Sequence, residues 1–373
     1  MAIRHLVLNP DLLKVPAYTR GKSLEDIKRE LGVEEVIKLG SNENPLGPSP
    51  QAIQAVKQAA ADMHRYPSVD EDDLKCKLAT LLGPQVEARN IIVGNGSADV
   101  MRSVAQSFLS PGGEVIIGRP AFQMYELATH MYGGRCVFVE GENYTYNLQA
   151  MADKITERTR LIFITNPNNP TGLIVSQRDI DDFMARVPPS VVVVFDEAYH
   201  EYVDDDQYPD TLRYVVEGRN VVITRTFSKI YGLAGMRVGY GIAPQELIDY
   251  LLHAQIPFQN GKLALCAAAA SLDDHEHVRR SQEINAQGRE YLYRNFEEMG
   301  LSYLPSQANF ILLYNLKQDV EEINQALLRQ GVIVRPTAPF GLPQALRVTI
   351  GTPQENERFV EALKLVLQRP RTG

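Results

Sequence analysis

Seven short apolar runs recur between residues 90 and 243, and longer stretches with helical periodicity separate many of them. Most of these runs are continuous rather than alternating, which is typical of strands covered on both faces. The repeated strand–helix rhythm predicts a largely parallel sheet with crossover helices. The predicted strands cover residues 91–93, 114–117, 135–139, 161–165, 191–195, 221–224 and 238–242.

The pattern changes after Pro244, where long helical stretches are followed by short strands near residues 310–314, 332–335 and 347–350. This change predicts a second, smaller domain. The fold class is therefore α/β, with a mostly parallel seven-stranded sheet in a large domain and a smaller α+β domain. The predicted division is an N-terminal arm with part of the small domain at 1–45, a large domain at 46–258 and a small domain at 259–373.

The composition of the chain argues against several classes of function. The formal net charge of −8 argues against nucleic-acid binding as the main task, because phosphates require a basic surplus. Three widely spaced cysteines fit reduced thiols in a cytoplasm and neither a disulfide framework nor a metal site. The longest apolar stretch, 263–270, is too short to span a bilayer. We therefore expect a cytoplasmic protein without a membrane partner.

Polar residues that could carry chemistry follow several of the predicted strands. The stretch 226–240 contains Thr226, Ser228, Lys229 and Arg237 directly after one strand. Hydroxyl and guanidinium groups beside a lysine suit a phosphorylated cofactor that forms a Schiff base with that lysine. A solvated surface loop is the alternative for a lysine considered alone.

Two turns offer further groups that could bind a ligand. The turn 94–99 opens a predicted helix, where glycines allow close backbone approach and free N–H groups can bind a phosphate. The alternative is a tight turn in which Ser97 caps the helix. The turn 166–172 contains two prolines and a glycine, and it could hold an Asn amide rigidly against a ligand or serve only as a structural turn.

Asp196 ends a buried apolar strand, where it could pair with a protonated pyridine nitrogen. A metal-binding, Walker-type or helix-capping acid is the alternative, although no GxxxxGK[ST] segment is present. Phe122 could stack on a planar cofactor or belong to the core. Arg335 and Arg347 lie in strand-like runs, where each could bind a carboxylate or phosphate or form an internal salt bridge.

Taken together, these segments resemble fold-type I pyridoxal phosphate aminotransferases, and most closely the histidinol-phosphate aminotransferase family. The resemblance runs from about Tyr18 to the last predicted helix. Its most specific parts are Ser41-Asn42-Glu43-Asn44-Pro45, Asn166-Pro167-Asn168-Asn169-Pro170-Thr171-Gly172, Asp196-Glu197-Ala198-Tyr199 and Phe227-Ser228-Lys229-Ile230-Tyr231-Gly232-Leu233-Ala234-Gly235-Met236-Arg237.

The resemblance implies roles for individual residues. Lys229 would form the Schiff base and shuttle the proton, and Asp196 would pair with the pyridine nitrogen. Asn169 and Tyr199 would bond the phenolic oxygen, and Phe122 would stack on the ring. The phosphate of pyridoxal 5'-phosphate would be held by Gly96, Ser97, Ala98, Thr226, Ser228 and Arg237, and by Tyr66 from a neighbouring subunit, which implies a homodimer with shared sites. The substrate would be faced by Tyr18, Asn42, Arg335 and Arg347.

The implied activity is ping-pong transamination of histidinol phosphate with 2-oxoglutarate or glutamate, a step of histidine biosynthesis that forms imidazole acetol phosphate. The alternatives within the fold are an aromatic amino-acid aminotransferase and a threonine-phosphate decarboxylase, because fold and cofactor do not choose among substrates. From another class, a non-catalytic cofactor-binding regulator would require a basic helix-turn-helix domain, for which the chain has no room.

Overall fold

The computed structural model describes residues 35–68 and 71–368. The strands in these ranges are β1 (Ile37–Lys38), β2 (Ile91–Gly94), β3 (Glu114–Arg119), β4 (Arg135–Glu140), β5 (Thr159–Thr165), β6 (Val192–Asp196), β7 (Val221–Thr226), β8 (Gly239–Ile242), β9 (Ser302–Tyr303), β10 (Phe310–Tyr314), β11 (Val332–Ile333), β12 (Arg335–Pro336) and β13 (Leu346–Thr349). All seven strands predicted between residues 90 and 243 are present.

These seven strands form one sheet in the order β2-β8-β7-β6-β5-β3-β4. β8 is antiparallel to both of its neighbours, and the remaining pairs are parallel. The continuous apolar runs have a direct cause, because both faces of the sheet are buried. In β6, Val193 and Phe195 belong to one apolar cluster, whereas Val192 and Val194 belong to the cluster on the opposite face. The mostly parallel α/β sheet predicted from the sequence is confirmed.

Helices lie between and around the strands of both parts of the chain. They are α1 (Pro50–Ala59), α2 (Asp72–Leu82), α3 (Ser97–Phe108), α4 (Met124–Met131), α5 (Leu148–Asp153), α6 (Gln177–Met184), α7 (Leu212–Val216), α8 (Gln245–Leu252), α9 (Lys262–Ser271), α10 (His275–Glu298), α11 (Val320–Arg329) and α12 (Pro353–Gln368). None of the helices in the described ranges has the length and apolarity that a bilayer crossing requires.

Local sequence explains several helix ends. α1 begins with Pro50 at its first position, and the Ser49 side chain accepts a hydrogen bond from the Ala52 N–H at 3.0 Å. α4 begins at Met124, five residues after the end of β3 at Arg119. The Gln123 side chain, at the cap, donates to the Pro339 carbonyl at 3.1 Å. The start of α4 is thus adjacent to a distant part of the chain, which a local pattern does not reveal.

A second, four-stranded antiparallel sheet has the order β12-β13-β10-β9. A separate apolar cluster supports it, to which α10 contributes Phe296 and α12 contributes Phe359 and Leu363. The predicted strand at 332–335 is divided in two, because β11 pairs with β1 and only β12 joins this sheet. The segment near residue 37 therefore packs with the C-terminal part of the chain.

The two sheets meet at the carboxyl ends of the large sheet. Thr165 and Asp196 are register partners at the ends of β5 and β6, and Thr226 ends β7. From the smaller sheet, β13 contributes Arg347 to the same region. Ligands of open α/β sheets bind at this edge, so the fold brings the candidate residues together there.

Candidate active site

A cavity of about 340 Å³ lies where the two sheets meet. Residues from β5, β6, β7 and β13 line it, together with the segment 40–43 that precedes α1. Most of the residues proposed from the sequence line this cavity, namely Asn42, Ser97, Ala98, Phe122, Asn169, Asp196, Tyr199, Thr226, Ser228, Lys229, Arg237, Arg335 and Arg347. Asn42 and Arg347, at opposite ends of this set, are more than three hundred positions apart in the chain and still share one site.

Lys229 lies in the loop that follows β7. The loop is held by its backbone, since the Phe227 N–H donates to the Val238 carbonyl and the Leu233 N–H donates to the Phe227 carbonyl. The Phe227 side chain is fully buried beneath it. The Lys229 Nζ donates to the Ser41 carbonyl at 3.3 Å and lies 5.5 Å from the centre of the Tyr199 ring. The amine therefore lies above the strand ends, beside Tyr199.

Asp196 is the buried carboxylate of the site, with a side chain that is 4% exposed. Burial raises the pKa of Asp196 to about 6, although hydrogen bonds from Tyr125 and Thr224 and the nearby charge of Lys229 act in the opposite direction. The adjacent Glu197 has a different role, because it forms an ion pair with Arg225 at 2.8 Å. Of the two consecutive acids, only Asp196 lines the cavity.

Tyr125 is a site residue that the sequence did not reveal. Its hydroxyl donates to Asp196 Oδ2 at 2.6 Å and lies 2.5 Å from Thr165 Oγ1. Its ring is fully buried and stacks on Phe163 at 4.7 Å. Burial raises the pKa of Tyr125 well above its usual value, so the hydroxyl keeps its proton and donates it. A tyrosine on an apolar helix face reads as core, and no local signal marks its partner.

The turn before α3 forms a candidate anion site. Gly96 has a φ of +81°, and a Cβ added there would lie 2.7 Å from Arg237 Nη2. The guanidinium group therefore lies directly against the turn, where a side chain in place of Gly96 would displace it. The Arg237 Nη1 donates to the Ala234 carbonyl at 2.9 Å and lies 3.4 Å from Ser228 Oγ. Together with the N-terminus of a 12-residue helix, these groups suit a phosphate.

Arg347 is buried between the two sheets, with 5% exposure. It donates to the Gly40 carbonyl at 2.9 Å and to Asn169 Oδ1. Arg335 is the register partner of Arg347 across β12 and β13, so the two side chains emerge on one face of the sheet. The ring of Phe340 lies 5.9 Å from the guanidinium carbon of Arg335 and 5.7 Å from that of Arg347. Two cationic groups and one aromatic ring therefore form one wall of the cavity.

Of the proposed residues within the described ranges, Gly96 and Tyr66 do not line this cavity. Tyr66 is 80% exposed, and its ring stacks on Phe258 at 4.6 Å beside a separate cavity of about 450 Å³. Tyr18 lies outside the described residues. Other residues line the cavity without having been proposed, namely Gly40, Ser41, Glu43, Gln123, Thr165, Ala198, Ala234 and Phe340. Of these, Ser41, Glu43, Ala198 and Ala234 lie within the four segments that carry the family resemblance.

Comparison with known proteins shows which family the chain belongs to. The family model for aminotransferase class I and II matches residues 34–363. The chain belongs to this family. This aminotransferase is 49% identical over 357 residues to the histidinol-phosphate aminotransferase of Moorella thermoacetica, which covers 95% of this chain and 92% of the relative. Its identity to the histidinol-phosphate aminotransferase of Akkermansia muciniphila is 47% over 362 residues, covering 96% and 98% of the two chains.

Solved structures agree. The crystal structure of histidinol-phosphate aminotransferase from Sinorhizobium meliloti in complex with pyridoxal-5'-phosphate superposes with a TM-score of 0.89 at 26% identity, covering 98% of each chain. A putative histidinol-phosphate aminotransferase from Erwinia carotovora superposes with a TM-score of 0.85 at 27% identity, covering 94% of this chain and 99% of the other. The family resemblance, the fold and the aminotransferase class predicted from the sequence are confirmed.

Proposed function

We propose that this aminotransferase uses pyridoxal 5'-phosphate to transfer the amino group of histidinol phosphate to 2-oxoglutarate. The observation that carries the proposal is one cavity that is lined by Lys229, by the buried Asp196 and by Arg237 of the anion site. A lysine, a carboxylate and a phosphate site correspond to the reactive carbon, the ring nitrogen and the phosphate of this cofactor. The names of the relatives support the choice of substrate.

Pyridoxal phosphate fits the groups present. The Arg237 guanidinium lies against the glycine turn at Gly96, and Ser97, Thr226 and Ser228 add hydroxyl groups. Asp196 is a carboxylate whose pKa burial raises to about 6, and a cationic ring nitrogen would favour its ionised form. In this proposal Phe122 contacts the face of the ring, and Asn169 and Tyr199 bind its phenolic oxygen.

When bound, the cofactor supplies an electron sink and an acceptor for the substrate's amino group. The residues of this chain move the protons. We assign the proton transfer to Lys229 Nζ. As general base it removes the proton from the substrate carbon, and as general acid it delivers the proton to the reactive carbon of the cofactor. Asp196 holds the ring nitrogen, and Arg237 with the N-terminus of α3 fixes the phosphate, so that the reacting atoms stay beside Lys229.

The substrate assignment depends on the opposite wall. Arg335 and Arg347 offer two guanidinium groups on one face of the sheet. This arrangement suits a substrate with a phosphate dianion better than a substrate with a single carboxylate. An aromatic amino acid is the second candidate. The observation that favours it is Phe340, whose ring lies beside both arginines and would contact a substrate ring.

Kinetics with alternative amino donors test the proposal. Purified protein loaded with pyridoxal phosphate is assayed with histidinol phosphate, phenylalanine and threonine phosphate. We expect kcat/KM for histidinol phosphate to exceed that for phenylalanine by about a hundredfold, because a phosphate dianion forms more charge-assisted hydrogen bonds with two guanidinium groups than one carboxylate does. A higher kcat/KM for phenylalanine would overturn the substrate. Lys229→Ala should abolish turnover, whereas Lys154→Ala, on the exposed end of α5, should not.

We also propose a homodimer with shared sites, in which Tyr66 acts in the neighbouring subunit's site. Tyr66 is exposed and does not line the cavity of its own subunit, as expected of a residue that serves a partner. Three apolar residues in the chain segments around Tyr66 and around its stacking partner are also exposed. The exposed fractions are 66% for Met63, 67% for Ile256 and 43% for Phe258. Apolar groups of this size on a surface favour a partner subunit.

The domain division and the location are further proposals. We propose a large domain, and a small domain that includes the segment before residue 45 and the C-terminal part of the chain. Because α9 packs on α1 and contributes Ala267 and Ala268 to the large apolar cluster, to which Leu272 also belongs, the packing favours a boundary after Leu272 rather than at 259. Three free thiols favour a cytoplasmic location.

A further inference from the structure

Asn42 joins the smaller sheet to Tyr199 by hydrogen bonds on all of its polar groups. Its N–H donates to Thr349 Oγ1 at 2.9 Å, and its carbonyl accepts from Asn309 Nδ2 at 3.0 Å. Its Oδ1 accepts from Thr349 Oγ1 at 3.1 Å, and its Nδ2 donates to the Tyr199 hydroxyl at 2.9 Å. The residue is 1% exposed, and its φ of 57° is a left-handed conformation that asparagine tolerates. Asn42 is thus held rigidly at the edge of the cavity.

The direction of the Asn42 amide follows from the Thr349 hydroxyl. That hydroxyl accepts the Asn42 N–H and has a single proton of its own, which Asn42 Oδ1 accepts. With the amide reversed, the proton of the buried Thr349 hydroxyl would have no acceptor among the described residues, at a cost typical of an unsatisfied buried group. Oδ1 therefore faces Thr349, and Nδ2 faces Tyr199.

This direction decides what the Tyr199 hydroxyl can do. Because the oxygen accepts from Asn42 Nδ2, its own proton points elsewhere, and no acceptor for it occurs in ranges 35–68 and 71–368. Tyr199 lines the cavity, on the side where Lys229 Nζ lies 5.5 Å from its ring. The hydroxyl proton is thereby available to a ligand in the cavity.

We propose that Asn42 is a positioning residue that turns the Tyr199 hydroxyl into a hydrogen-bond donor toward the cofactor, and that Thr349 sets the direction of Asn42. The inference rests on the proposed function, because it needs a cofactor ring oxygen as the acceptor for Tyr199. It also gives Asn42 a role that differs from contact with substrate.

The test is a pH titration of the bound cofactor's visible absorption band. A hydrogen bond donated to the ring oxygen stabilises negative charge there and makes the titrating proton easier to lose. Asn42→Gly removes the amide and keeps the left-handed backbone, since glycine adopts it without strain. We expect the midpoint to rise by about half a unit to one unit, the size of one lost hydrogen bond. Thr349→Val should raise it in the same direction, and the matched control Thr349→Ser should leave it unchanged.

The Asn42→Gly substitution made in Tyr199→Phe protein distinguishes a positioning role of Asn42 from a merely structural effect. In Tyr199→Phe protein the midpoint should already be raised, and adding Asn42→Gly should produce no further shift, because Asn42 acts through Tyr199. An unchanged midpoint in both Asn42→Gly and Thr349→Val, or an equal Asn42→Gly shift with and without the Tyr199 hydroxyl, would overturn the inference. Failure of the proposed function looks different, since wild-type protein would then show no titrating band after pyridoxal phosphate is added.

Discussion

Tyr125 and Asp196 form a deeply buried polar contact of the site, and Tyr125→Phe tests it. The substitution removes one hydroxyl and leaves the stacking on Phe163 in place. The lost hydrogen bond of 2.6 Å stabilises the ionised carboxylate, so its removal raises the pKa of Asp196 further. We expect the pH below which pyridoxal phosphate affinity falls to move upward. Fluorescence titrations with pyridoxal phosphate at several pH values measure this shift.

Tyr146→Phe is the matched control. Tyr146 is also a buried tyrosine, but its hydroxyl donates to Asn168 Oδ1 at 2.9 Å rather than to Asp196. Both variants should lose about 1–3 kcal/mol of stability, as expected when a buried acceptor loses its donor. Only Tyr125→Phe should move the pH dependence of cofactor affinity. Equal pH profiles for the two variants would refute a specific role for Tyr125.

Asp196→Asn should stabilise the cofactor-free protein and weaken cofactor binding. The pKa of Asp196 is about 6 in the folded protein against an ordinary value of 3.8, so the folded state holds this proton more tightly than the unfolded state does. The stabilising contribution of protonated Asp196 is therefore fully present below pH 3.8, and it is lost as the pH rises through about 6. At about pH 8 the neutral amide should raise the free energy of unfolding by up to about 3 kcal/mol. Urea unfolding of the cofactor-free forms at low and high pH measures this, and a destabilised variant at high pH would contradict it.

The residues at strand ends could be predicted because a buried strand followed by polar groups is a local pattern. Asp196 and Lys229 both occur in such patterns. Tyr125 could not be predicted, since its partner is 71 positions away and its own surroundings are apolar. The contact of Asn42 with Tyr199 spans 157 positions, so the motif around Asn42 marks it as important without showing what it touches. Tertiary contacts between distant residues are what the sequence pattern lacks.

At the scale of elements, the turn into α3 depends on a glycine for two separable reasons, and Gly96→Ala tests them. The φ of +81° costs an alanine about 1–2 kcal/mol, and its Cβ would lie 2.7 Å from Arg237 Nη2. Displacing the guanidinium weakens the anion site, so we expect the dissociation constant of pyridoxal phosphate to rise about tenfold to a hundredfold. Gly112→Ala is the control, with a φ of +82° and nothing within 4 Å of its Cβ. Similar loss of affinity in both variants would assign the effect to backbone strain alone.

The strands of the large sheet were the elements best predicted from sequence, because burial on both faces leaves a continuous apolar run. The smaller sheet was predicted less completely. The run at 332–335 divides between two sheets, since β11 pairs with β1 and β12 pairs with β13. Two-residue strands have no periodicity of their own, so their pairing depends on where the segment near residue 37 packs.

At the scale of the whole molecule, the site lies between two bodies that each contribute necessary groups. The large sheet supplies Asp196 and the Lys229 loop, and the smaller sheet supplies Arg335 and Arg347. Gly40 belongs to the segment that crosses between them, and its carbonyl accepts from Arg347. A homodimer would add one more contributor, Tyr66, which the cavity of its own subunit does not include.

Mixing two inactive variants tests whether sites are shared between subunits. Tyr66→Ala protein would lack the partner contribution to every site, and Lys229→Ala protein would lack the amine. In a mixed dimer, the site that keeps Lys229 receives Tyr66 from its neighbour and is intact, whereas the other site carries both substitutions. If subunits are mixed equally under denaturing conditions and refolded, we expect roughly a quarter of the wild-type activity.

Each variant refolded alone should remain weakly active or inactive, and a mixture made without unfolding should show only the sum of the two. Phe258→Tyr serves as the control for the surface, because it keeps the ring against which Tyr66 stacks at 4.6 Å and should leave activity unchanged. Sedimentation of wild-type protein as a monomer, or a refolded mixture no more active than its parts, would refute shared sites. Because only a site assembled from two chains can be restored in this way, recovered activity would assign Tyr66 to the partner's site.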